Sequence, residues 1–322
     1  MQKLLLAFLF VLQASSLWAI DLLDLRVFPL FETNSVAFEG VIVSNSYKPE
    51  GTGLRAKLSG LRSKWLASGK AVVECDSQKL TVDIKDGEFS GVASVTSLAS
   101  FSISVSHDNK ILYSEDFAFP ATADFVIVSD IDDTILVTEV SSRLKMAYNS
   151  MFKDVDERQA VSGTPDLYRE ISNGATGMGK PHFVYLSSSP AFLSRSLKKF
   201  LAHNKFPAGT LVLKKSLTSG DHANHKTGWL EQIVKRYNNR PVLLFGDSGE
   251  KDPVIYRNFV EGITNDMPVR GIVIHEVTSQ SEVIEKLLES RNSLKEKFRV
   301  PLIHWNRIDD LKERMREDGL LK

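Results

Sequence analysis

Asp130 and Asp132 stand two residues apart in Ser129-Asp130-Ile131-Asp132-Asp133-Thr134, directly after the apolar run Phe125-Val126-Ile127-Val128. Residues i and i+2 of a strand share a face, and past the strand end the chain can turn both carboxylates toward one crevice. Unpaired carboxylates are costly to bury, so a bound cation would account for the pair. The plainer alternative is an Asp-rich turn that caps the next helix. Three later segments weigh against it. His182–Leu186 runs into Ser187-Ser188-Ser189-Pro190. The serine hydroxyls and the helix start behind them suit a phosphoryl oxygen, although Ser followed by Pro also simply opens a helix. His225-Lys226-Thr227 begins another helix, where the macrodipole disfavours a cation unless an anion sits nearby. Lys214 and Lys215, after the apolar run Thr210–Leu213, are rivals for that role. Lys226 is preferred because it directly precedes the helix leading to the next strand. Finally, Val242–Phe245 ends in Gly246-Asp247-Ser248-Gly249-Glu250-Lys251-Asp252-Pro253. Gly246 and Gly249 are expected to let the backbone turn tightly. Asp247 and Asp252 add hard oxygen ligands of the kind Mg²⁺ takes beside water and a substrate phosphate.

These motifs need a scaffold that gathers strand ends. Phe125–Val128, His182–Leu186, Val242–Phe245 and Gly271–Ile274 read as buried strands, and Ala191–His203 and Thr227–Tyr237 between them read as helices. That alternation predicts a parallel sheet covered by helices. In such sheets ligands bind beyond the carboxyl ends of the strands, where all the residues above fall. Glu282–Phe298 and Arg307–Leu321 read as charged amphipathic helices with solvated faces.

The first part of the chain reads differently. Ser35–Val43, Lys79–Lys85, Phe89–Val95 and Phe101–Val105 carry strand patterning, with an Asp86-Gly87 hairpin signal, and predict a β-sandwich-like domain over residues 20–120. Gly51–Lys70 lacks acids but holds Arg55, Lys57, Arg62, Lys64 and Lys70. Leu54, Leu58, Leu61 and Trp65 would share one helical face, which either packs on the sandwich or lies on an anionic membrane surface. The 43% hydrophobic and 25% charged composition is that of a soluble globular protein. A net charge of zero argues against general nucleic-acid binding. Residues 1–19 pattern as a cleaved export signal, with Lys3, the apolar run Leu4–Leu12 and Ala19 before the cut. Its removal leaves 39 basic against 40 acidic residues, and places the chain in a periplasm or outside the cell. Cys75 is the only cysteine, so no internal disulfide is expected, and its strand setting predicts a buried thiol.

The order acid pair, Ser, Lys, acid pair resembles the haloacid dehalogenase-like phosphatases. Ser129–Ile135, Tyr185–Pro190 and Gly246–Pro253, with Phe206-Pro207-Ala208-Gly209 and His225-Lys226, resemble the catalytic domain of the actin-patch phosphatidate phosphatase family and its bacterial relatives. The resemblance covers about residues 121–276, and relatives tend to carry an Arg where this chain has Val273-Ile274-His275-Glu276-Val277. It implies a Rossmann-like parallel-sheet domain with a minimal cap over residues 121–322. It also implies a Mg²⁺-dependent attack by Asp130 on phosphorus, with Asp132 as acid and then base. Thr134 would orient Asp132, and Asp133 would face away. Asp130, the carbonyl of Asp132, Asp247 and Asp252 would hold the metal, and Ser187, Ser188 and Lys226 would bind the phosphoryl oxygens, with Gly246 in support. A phosphatidate-like lipid is the implied substrate, with peripheral membrane contact through residues 51–70. The alternatives are a soluble or protein-bound phosphomonoester, or an inactive surface-binding protein. Only about 50 residues separate the opening motif from Ser187. They hold an expected helix with Leu144, Tyr148 and Met151 on one face and Arg143 and Lys145 nearby, which leaves an open site.

Overall fold

The computed structural model describes residues 20–44, 64–138, 158–215, 222–249, 251–263, 268–277 and 288–322. Strands β1 (Ile20–Leu30), β2 (Ser35–Ser44), β3 (Lys64–Trp65), β4 (Ser68–Cys75), β5 (Gln78–Lys85), β6 (Glu88–Ser94), β7 (Phe101–His107) and β8 (Lys110–Phe117) form one antiparallel sheet. Its order is β1-β2-β6-β5-β4-β7-β8, with β3 added to β2. The expected sandwich is therefore a single curled sheet wrapped around its own core of Phe38, Val73, Cys75, Phe89, Ile103 and their neighbours. Two-residue turns at Asp86-Gly87 and Asp108-Asn109 have positive φ at both positions, the geometry that matches hairpin twist. Cys75 is buried as expected, and burial, with the charge of Asp76 beside it, pushes its thiol up to about 11.

The helix expected over residues 51–70 does not reach Trp65. Trp65 pairs with Val43 in a strand, Leu66 N donates to Ile42 O at 3.1 Å, and Lys70 lies in β4. Backbone pairing to the end of β2, past the last residue that pairs with β6, satisfies groups that a helix end would leave bare. Residues 51–63 lie outside the described residues, as do residues 1–19 and the expected helix around Leu144 and Tyr148.

A second sheet holds β9 (Phe125–Ser129), β10 (Pro181–Pro190), β11 (Gly209–Lys214), β12 (Val242–Asp247), β13 (Val269–His275) and β14 (Leu302–Trp305). All its pairs are parallel, in the order β11-β10-β9-β12-β13-β14. Helices among the described residues include α1 (Thr164–Ser172), α2 (Ser194–His203), α3 (His222–Arg236), α4 (Asp252–Gly262) and α5 (Ile308–Glu317). β9, apolar except for the buried Ser129 at its end, faces both ways, as a strand buried on two sides must. Phe125 and Ile127 pack with Leu167, Leu197, Leu311 and Met315, while Val126 and Val128 pack with Leu230, Ile255 and Phe259. The chain winds outward from β9 through β10 and β11, then returns to the other side at β12. The crevice between the carboxyl ends of β9 and β12 is where such sheets bind ligands.

The two sheets are joined through β1 and β2, which are buried on both faces. Leu25, Val27 and Phe38 fill the first core, while Leu23, Phe28, Ala37 and Val41 pack into the two layers around the second sheet. That double burial explains why apolar residues on these strands do not simply alternate with polar ones.

Candidate active site

Asp130 lies one residue past β9, and its N–H still donates to Phe245 O of β12 at 2.9 Å. Register sets Ser129 level with Tyr185 on one side and Phe245 on the other, so the polar ends of three adjacent strands meet. Ser129 Oγ donates to Asp130 O at 2.7 Å and accepts from the Tyr168 hydroxyl at 2.8 Å. Burial, opposed by the Ser129 bond and reinforced by the Asp130 charge, pushes Tyr168 well up, so it stays a donor. Thr134 Oγ1 donates to Asp130 Oδ2 at 3.3 Å. Thr134 therefore aims Asp130, not Asp132 as expected, because the tight loop brings it back over the strand end. Asp133 sits at φ +55° and is turned away, with Oδ1 accepting from Thr138 N at 2.9 Å. His275 Nδ1 donates to Asp133 O at 2.5 Å; burial lowers its pKa, so the neutral ring holds the loop.

Lys226 is the cation of the site. Its ammonium lies 2.9 Å from Asp130 Oδ1 and 2.5 Å from Asp252 Oδ1, with all three side chains almost wholly buried. The rival Lys215 pairs instead with Glu88 of the first sheet at 2.6 Å. Asp130, Asp247 and Asp252 each bring a carboxylate oxygen to within 4.8 Å of the others. Three buried carboxylates against one ammonium leave an excess of negative charge, an arrangement that is costly unless a cation balances it. The all-oxygen donor set suits a hard divalent ion. Asp132 is not one of these three carboxylates. Its Oδ2 accepts from Ser187 Oγ at 3.1 Å and from Ser189 Oγ at 2.8 Å, and Ser187 Oγ in turn accepts from Ser189 N at 2.9 Å. Ser188 Oγ is buried and meets no hydrogen-bond partner among the described residues.

The sequence motifs did not single out Ser189, Tyr168 or the ring of His225. Ser189 was visible only as one of three adjacent serines. His225 bonds the Ser187 backbone, and burial, then the charge of Arg26, pushes its pKa down to about 4, so it too is neutral at pH 7. It ties the strand end carrying Ser187 to the helix carrying Lys226.

Gly246 and Gly249 are not at positive φ, so tight turning is not their role. At Gly246 the reason is space. A Cβ there would lie 2.5 Å from Asp252 Oδ2 and 2.9 Å from Tyr256 Cε2. Gly246→Ala is expected to push Asp252 out of the cluster and to cost about 1–3 kcal/mol of stability. Thermal melts and divalent-ion titration check this. A divalent affinity unchanged from wild type would show that Asp252 is not needed for the ion.

The parallel-sheet crevice thus assembles the carboxylates, the lysine and the serines from four separate segments. Residues 125–276 match the model of the catalytic domain of phosphatidate phosphatase APP1. Phosphatidate phosphatase APP1 of Saccharomyces cerevisiae is 30% identical over 136 residues, 40% of this chain and 22% of that protein. An uncharacterised protein of Schizosaccharomyces pombe is 28% identical over 178 residues, 53% of this chain and 28% of its own. The chain spans about a quarter of the length of these relatives. Among solved structures, a Pnkp1/Rnl/Hen1 complex aligns at a TM-score of 0.32 and 7% identity, covering 63% of this chain and 56% of that one. Every site residue above lies inside the matched segment. The first sheet, β14 and α5 lie outside it.

Proposed function

We propose that the chain is a Mg²⁺-dependent phosphomonoester hydrolase acting through an aspartyl-phosphate at Asp130, with phosphatidate or a related lipid phosphate as substrate. The observation that carries this reading is the buried cluster of Asp130, Lys226, Asp247 and Asp252 with Asp132 beside it. Asp130 Oδ attacks phosphorus and the ester P–O bond breaks, while Asp132 gives its proton to the leaving alkoxide. Asp132 then takes a proton from water as that water attacks phosphorus, releasing phosphate and freeing Asp130. Positioned proton transfer of this kind contributes about 10²–10⁴ in rate. Ser187 and Ser189 fix the direction of the Asp132 carboxylate. Lys226 holds Asp130 in place and, with Ser187, Ser188 and the backbone N–H groups that follow, faces the equatorial phosphoryl oxygens. Asp130, Asp247, Asp252 and the Asp132 carbonyl would hold Mg²⁺, which when bound offsets the repulsion between carboxylate and phosphate.

The lipid substrate is supported by the catalytic-domain match. Export is supported by the pattern of residues 1–19, and membrane contact by the basic residues of 51–70. Among the described residues no helix is long and apolar enough to cross a membrane. The test is phosphate release from phosphatidate in mixed micelles and from an aryl phosphate, each with Mg²⁺ and with EDTA. Metal-dependent release from phosphatidate is expected. Release from the aryl ester alone would move the substrate to the soluble class, and release from neither would overturn the enzyme reading.

A further inference from the structure

Helix α3 carries Lys226 near its start, and the first sheet grips that helix along its length. Trp229 stacks on Phe28 of β1 at 5.9 Å and lies under the Arg26 guanidinium at 5.2 Å. Residues three apart on a helix are surface neighbours, so Trp229 reports where Lys226 sits. Farther along, Arg236 lies over Phe28 at 4.2 Å and pairs with Glu39 at 3.0 Å. Beyond the helix end, Arg240 pairs with Glu32 at 2.6 Å.

Arg26 is the contact nearest the catalytic end. It is 2% exposed, in a protein region where a charge needs partners, and it has them. Its Nε donates to Asp24 Oδ2 at 3.0 Å and its Nη2 donates to Leu213 O at 2.7 Å, next to the last residue of β11. One planar fork thus ties β1 to the carboxyl end of β11 and, by its face, to the first turns of α3. Its charge also bears on His225, whose ring bonds the Ser187 backbone.

We infer that Arg26 is a positioning residue for the active site, through which the first sheet holds helix α3 and keeps the Lys226 ammonium in register with Asp130 and Asp252. The inference rests on the proposed phosphatase reading for what Lys226 does there. It makes the first sheet a working part of the catalytic centre. A lysine at 26 keeps the charge but loses the two-pronged fork and the flat face over Trp229, so it cannot serve all three partners.

The test uses the full chain with Arg26→Lys and Arg26→Met, and with Arg240→Met as a control at the far end of the same interface. Measured are kcat and KM on the ester cleaved fastest, melting temperature, and Mg²⁺-dependent affinity for orthovanadate, which mimics five-coordinate phosphorus. Small displacements of positioning groups can cost about 10² in rate. Arg26→Met is therefore expected to lower kcat about a hundredfold, and Arg26→Lys about tenfold, with KM changed less than about threefold. Vanadate affinity should fall about tenfold in both, because it tracks transition-state rather than ground-state binding. Arg240→Met should lose less melting temperature, since its pair with Glu32 is partly exposed, and keep kcat and vanadate affinity within about twofold. The inference is overturned if the Arg26 variants keep both quantities, or if Arg240→Met loses as much of both as they do. Where Arg26→Met does not fold, Arg26→Lys decides. A wild type that binds vanadate but cleaves no ester sinks the phosphatase reading and leaves the vanadate comparison to decide this one. A wild type that does neither overturns both.

Discussion

Asparagine at position 130 is expected to abolish phosphate release and, at the same time, to stabilise the metal-free protein. The amide lacks the nucleophilic oxygen, so turnover should fall by about 10³-fold or more, as it does when a nucleophile is removed elsewhere. The stability effect follows from charge. Asp130, Asp247 and Asp252 are buried within 4.8 Å of one another and share one lysine. Neutralising one carboxylate removes part of the repulsion among the three, a relief of about 1–2 kcal/mol by comparison with other buried charge replacements. Adding Mg²⁺ should stabilise wild type more than Asp130→Asn, since the variant offers the ion one charge fewer. Melts with EDTA and with Mg²⁺ measure both. An Asp130→Asn protein less stable than wild type in EDTA would contradict the reading of the cluster as a charge-rich cation site.

The second large effect is at Lys226, in the opposite direction. Lys226→Met keeps the length of the side chain but strands Asp130 and Asp252 without their shared ammonium. Removing one partner of a buried pair typically costs about 3–5 kcal/mol. Loss of a charge aimed at the transferring group should lower kcat by about 10²–10³. Mg²⁺ should recover part of the stability and little of the rate. Combining Lys226→Met with Asp130→Asn should restore part of the stability, because Asp130→Asn removes one of the two carboxylates that Lys226→Met leaves without an ammonium. A double variant whose stability is the simple sum of the two single changes would show that the two side chains do not act on one another.

The strand-end placement of Asp130, Ser187 and Asp247 was legible because apolar runs flanked by Gly, Ser and Asp are a local signal, and parallel sheets align their carboxyl ends. The choice of Lys226 over Lys215 rested on its place before a helix, and the contact at 2.9 Å to Asp130 agrees with it. What was not legible depends on partners far along the chain. Trp65 fitted a helical face by spacing, yet the end of β2 claims its backbone. Ser189 turns toward Asp132 where the pairing of β10 with β11 shifts between Leu186 and Pro190. Arg26 belongs to no sequence motif, and its contacts with Leu213 and Trp229 come from elements about two hundred residues away. Local periodicity reports which residues form an element; it says nothing about which element comes to lie against it.

The most direct measurement asks whether phosphorus passes through Asp130. The enzyme would be quenched with borohydride during steady turnover, which reduces an acyl phosphate to an alcohol, and the peptide bearing position 130 read by mass spectrometry. Conversion of Asp130 to homoserine, dependent on substrate and Mg²⁺ and absent without either, is the expected result. Continued phosphate release with Asp130 unmodified would contradict the covalent account.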